Sequence, residues 1–149
     1  MTRLIVALAA VAALAFPVGA TAGTIVEHQT FDTTFPICNG DLVQLSGPLL
    51  VTTTTTTTPS GGETVAVHFQ PQGVKGTDLV TGTVFIATGL TRDVVVNSPP
   101  GGTTETFVNR FHIQATGGAE SYEVVELFHV TVTADGSVRV EFDNASATC

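Results

Sequence analysis

The chain has 149 residues, enough for one domain, and carries thirteen acidic against five basic residues, a formal net charge of −8. The basic residues stand singly, so no patch exists to neutralise phosphates, which excludes nucleic acid and an anionic membrane surface as expected partners. Acidity otherwise reports solubility, not fold.

Residues 1–22 have the layout of a secretory signal: Arg3, an apolar run from Leu4 to Phe16, the helix-breaking Pro17, then small residues. Ala20-Thr21-Ala22 fits the small-x-small cleavage pattern, which sets maturation after Ala22. The apolar run falls short of the about 20 residues a spanning helix needs, and no second run of that length follows. The expected product is a soluble, secreted or periplasmic domain spanning residues 23–149, with no membrane contact after cleavage. Export also sets the redox context of Cys38 and Cys149, for which a disulfide closing almost the whole domain is expected. A zinc site built on them would lack further cysteines and a histidine at ligand spacing.

From there the chain reads as about eight strands. Residues 24–31 (TIVEHQTF) form the first, and Pro36 with Cys38-Asn39-Gly40-Asp41 marks a turn. Residues 41–46 and 49–57 make a second strand interrupted at Gly47-Pro48. It runs into seven threonines, residues 52–58, whose β-branching favours extended structure and places hydroxyls on both faces, at or near a sheet edge. Residues 64–70 alternate, with Val65, Val67 and Phe69 inward and His68 outward. Residues 71–78 read as a glycine-bearing loop that lacks the Gly-Lys-Ser/Thr of a phosphate cradle. A strand over 79–88 with Gly82 at its centre, a turn at Gly89 and a strand over 91–98 follow, and Pro99-Pro100-Gly101-Gly102 connects to the end of the chain.

Residues 103–144 carry the strongest pattern, three alternating strands separated by Gly117-Gly118 and Ala134-Asp135-Gly136. Keeping Val138, Val140 and Phe142 on the face of Val132, Val130 and Phe128 requires a three-residue loop that pairs Thr133 with Ser137. An even loop at Gly117-Gly118 pairs Thr116 with Ala119, and further along sets His112 opposite Glu123. On the other side of the middle strand, His129 then lies opposite Glu141, and both contacts read as ordinary cross-strand ion pairs. No helical periodicity appears after residue 23. The fold class is all-β: a meander barrel of antiparallel strands, with a two-sheet sandwich as the alternative.

FHVTVTADGSVRVEFDNASATC, with GVKGTDLVTGTVF upstream, resembles small exported bacterial all-β proteins of unassigned activity. The architecture is similar to dirigent and allene oxide cyclase-like barrels. That resemblance implies a fold and brings no catalytic residues with it.

Candidate chemistry is sparse. There is no nucleophile elbow, no Ser–His–Asp spacing and no HExxH. His68, His112 and His129 take the parity opposite the large apolar residues and do not converge, so neither a metal nor another cofactor is expected. Two polar residues interrupt apolar faces, Asn109 and Glu126, and the even loop pairs them directly. A carboxylate beside an amide on an inner face, with Tyr122 nearby, is the candidate ligand-binding group. Three roles remain open: non-enzymatic binding of a small molecule or surface partner, a barrel isomerase or cyclase, and a structural envelope component. Enzymatic activity is the less supported of these.

Overall fold

The structure, a computed structural model, describes residues 19–37, 39–118 and 121–148, with the backbone alone at Phe142 and Asp143. The expected signal segment falls mostly outside these residues. So do both Cys38 and Cys149, and the disulfide expected between them.

The described chain is all-β, with eight strands: β1 (Thr21–Pro36), β2 (Leu42–Thr57), β3 (Glu63–Pro71), β4 (Lys75–Asp78), β5 (Val84–Ser98), β6 (Gly102–Ala115), β7 (Ser121–Val132) and β8 (Val138–Thr148). All pairings are antiparallel and follow chain order, β1-β2-β3-β5-β6-β7-β8, with the short β4 filling a gap between β2 and β5. β2, β3, β5 and β4 thereby make a partial ring, while β1 and β8 end the sheet. The sheet curls strongly, because Phe35 of β1 meets Phe111 of β6 edge to face with ring centroids 6.3 Å apart.

Curling gives the sheet a concave and a convex face, and alternation assigns every strand residue to one of them. The main buried cluster occupies one end of the concave side, and Val51 is buried apart from it. At that end Val43, Leu45, Phe85, Ala87, Ile113, Ala115 and Tyr122 pack with Ile37 and Val74, and Phe31, Phe35 and Phe111 rest on them. Gly76 of β4 lets that end close: a Cβ there would lie 2.7 Å from Leu45 Cδ2 and 2.8 Å from Val43 Cγ1. Towards the other end the strands are half-buried, and β1 is exposed along residues 21–30.

Both hairpin registers follow the logic of matching apolar faces. Thr133 N–H donates to Ser137 O at 2.9 Å, Gly136 takes φ +81°, and Val132 and Val130 oppose Val138 and Val140. At the other turn Ile113 opposes Tyr122, His112 opposes Glu123, and Asn109 opposes Glu126.

Three expectations need correction. Phe128 does not pair with Phe142: a bulge between His129 and Val130 shifts the register, so Phe128 opposes Asp143 and His129 opposes Phe142. The bulge still leaves His129 Nε2 at 3.4 Å from Glu141 Oε2, so the expected contact survives the shift. Second, residues 71–78 are not simply a loop, since β4 lies within them. Residues 79–83 form the turn, where the Asp78 carboxylate accepts the Val80 and Thr81 N–H groups at 2.7 and 2.8 Å. These bonds, led by that from Thr81, hold the Asp78 carboxyl below its ordinary range. Leu79 and Val80, assigned to a strand by their hydrophobicity, are therefore 55% and 74% exposed.

Third, Gly89 does not turn the chain. β5 runs straight through it, and Gly89 serves close approach, because a Cβ there would lie 2.2 Å from Arg110 O. Its φ of +141° also disfavours any side chain.

Candidate functional site

Above the packed end, the concave face opens into a cavity of about 440 Å³. Its wall comes from six strands, all by the same parity: Phe31, Thr33 and Phe35 of β1, Leu45 and Leu49 of β2, Phe69 and Pro71 of β3, Thr91 of β5, Phe107, Asn109 and Phe111 of β6, and Val124 of β7. Five of the chain's nine phenylalanines therefore surround one space. Its volume falls within the range of small-molecule sites, roughly 300–1,000 Å³, which are typically mostly apolar with a few placed polar groups.

The polar groups form a directed chain. Thr91 Oγ1 donates to Asn109 Oδ1 at 2.8 Å, and Asn109 Nδ2 donates to Glu126 Oε2 at 2.9 Å. An ionised carboxylate only accepts, so Glu126 fixes the amide with its nitrogen towards β7. The amide oxygen then faces Thr91, whose single proton is committed to it. What Thr91 offers the cavity is its lone pairs, an acceptor.

Of the three expected site residues, the structure brings Asn109 and Glu126 together and separates Tyr122 from them. Tyr122 sits beneath the cavity, 8% exposed in the packed end, with its ring 5.8 Å from that of Phe85. Asn109 lines the cavity, while Glu126 holds it from behind. Sequence reasoning missed Thr91 and the phenylalanine wall. The alternate spacing of Phe31 with Phe35 and of Phe107 with Phe111 was visible, but only the curl of the sheet makes β1 and β6 face each other.

Alternation also sorts the charges. Lys75, Arg92, Arg110 and Arg139 lie next in chain to concave-face residues (Gly76, Thr91, Asn109 and Val140) and so take the convex face. His28, His68, His112 and His129 do the same, as expected for the last three. His129 Nδ1 lies 2.7 Å from Thr106 Oγ1. Arg110 Nε lies 3.8 Å from Glu123, diagonal to the His112–Glu123 pair. Glu27, Glu63, Asp93, Glu105 and Glu126, by contrast, occupy the concave parity. Among the described strand residues the concave face has carboxylates and no cation.

Comparison with protein-family models, curated proteins and solved structures finds no match to this chain. The functional reading therefore rests on the geometry. Among the described residues, no group of three or more His, Cys, Asp or Glu side chains is placed to hold a metal ion.

Proposed function

We propose that the protein is an exported, non-enzymatic β-domain that takes up a small, largely apolar molecule in the phenylalanine-lined cup. The observation that carries the reading is the coincidence of that wall with one ordered polar chain, Thr91–Asn109–Glu126, at its side. Apolar walls supply affinity through burial at about 25 cal/mol per Å² removed from water, and a single polar group fixes orientation. Export is supported by the layout of residues 1–22, and the sequence pair Cys38 and Cys149 suits a domain held by one disulfide in an oxidising compartment. Thiol titration of the denatured, unreduced protein tests that pairing, with no free thiol expected.

The binding reading is tested with the neutral, environment-sensitive dye prodan. Saturable, one-to-one binding with a blue-shifted emission is expected, and Val124→Phe, which fills the space, should abolish it while leaving thermal stability nearly unchanged. A dye that fails to bind, or binds the filled variant equally well, sinks the reading.

A second reading, assembly of copies through the sheet edge, is favoured by one observation. The terminal strand β1 exposes Ile25 at 63% and Val26 at 56%, beside the threonines of β2. Sedimentation velocity across a wide concentration range decides it. A monomer throughout removes it.

A further inference from the structure

We infer that the cup selects its ligand by charge: the occupant is an apolar, aromatic-sized molecule carrying a protonated amine. The inference rests on the cup being a ligand site and specifies what chemistry fits there. Three features of the concave face converge on it.

The first is the acceptor-rich character of the polar strip. Thr91 has spent its proton on Asn109, and one Asn109 N–H is taken by Glu126 behind it, so the strip meets a ligand mainly with lone pairs, the second amide N–H being its one donor. The second is Asp93. It lies two residues along β5 from Thr91 and directly across from Phe107, both of which wall the cavity. Its Oδ1 is buried and has no hydrogen-bond partner in the protein. Asp93 stands just behind the cavity wall and is not part of it, and a carboxylate oxygen there is costly to leave unpaired, so its charge and its unmet acceptor both favour a cationic donor in the adjoining cup. The third is the segregation of charge. Every described lysine, arginine and histidine on a strand points to the convex face, so no internal cation competes for Asp93, Glu105 or Glu126. The phenylalanine faces add to the same preference, since a cation is attracted to an aromatic ring within about 6 Å of its centroid. An anionic ligand of the same shape would meet like charge and find no donor beyond the amide of Asn109.

The experiment compares three probes of one shape and different head group by isothermal titration calorimetry with the purified protein: 1-naphthylmethylamine, 1-naphthalenemethanol and 1-naphthoate. At moderate salt, where long-range attraction is screened, the amine should bind at least ten-fold tighter than the alcohol, and the naphthoate most weakly. Asp93→Asn, nearly isosteric, should bring the amine to the affinity of the alcohol without changing the alcohol itself. Naphthoate binding as tightly as the amine overturns the inference, as does an amine preference that Asp93→Asn leaves intact. If none of the three binds, the cup itself is not a ligand site and the inference falls with it.

Discussion

Asn109→Leu separates a structured polar device from a wet rim. The substitution keeps the branched side-chain skeleton and removes both hydrogen bonds at once, that to Glu126 at 2.9 Å and that from Thr91 at 2.8 Å. A bond to a charged acceptor contributes about 1.5–3 kcal/mol and a neutral one about 0.5–1.5 kcal/mol. Asn109, Thr91 and Glu126 are half-buried, so water replaces part of what is lost, and the added apolar contact offsets a little more. The expected destabilisation is therefore about 1.5–2.5 kcal/mol, read from urea denaturation with the slope held common to both proteins. Glu126→Gln keeps an acceptor for the amide but removes the charge, and should cost about half as much. The double variant should be little less stable than Asn109→Leu alone, because the second change acts on a bond already gone. A cost below about 0.5 kcal/mol for Asn109→Leu, within the range of neutral surface changes, would show the pair to be solvated and inert.

Gly89→Ala should cost about 3–4 kcal/mol, since its Cβ would overlap Arg110 O and only separation of β5 from β6 relieves it; a thermal shift of a degree or two would refute the close approach. Phe85→Ala, at a fully buried site, should cost about 3–5 kcal/mol, whereas Val138→Thr, at 63% exposure, should stay within about 0.5 kcal/mol. Equal effects would contradict a core concentrated at one end. Asp135 accepts hydrogen bonds from Thr133 and Ser137, which lower its carboxyl from 3.8 to about 2. A depressed folded-state value means the contribution is complete above pH 3.8 and is lost as pH falls through about 2. Asp135→Ala should therefore melt below the parent protein at pH 6 and together with it near pH 2, and a gap constant across that range would exclude the mechanism.

Where strands were read correctly, a local rule was sufficient. The register of the last two hairpins follows from keeping apolar residues on one face, and that rule alone sets Asn109 against Glu126. It failed where a polar group or a missing side chain acts across space. Leu79 and Val80 look like strand residues, yet Asp78 caps their backbone into a turn. Gly89 looks like a turn, yet it is the point where β5 and β6 come closest. The extra residue at Glu141 follows no periodicity, and it cost the expected pairing of Phe128 with Phe142.

Composition and alternation alone determined that this chain is all-β, roughly how many strands it has, and which residues share a face, because those properties depend only on β-branching, glycine placement and a period of two. They also placed the histidines opposite the large apolar side chains. How tightly the sheet curls was decided only in three dimensions. Curl brings Phe35 to Phe111 across strands far apart in sequence, buries Tyr122 beneath the cavity instead of beside it, and leaves Val138 and Val140 in the open although they share the concave parity. Parity says which side a residue is on; whether that side is enclosed depends on contacts between strands that no local pattern encodes.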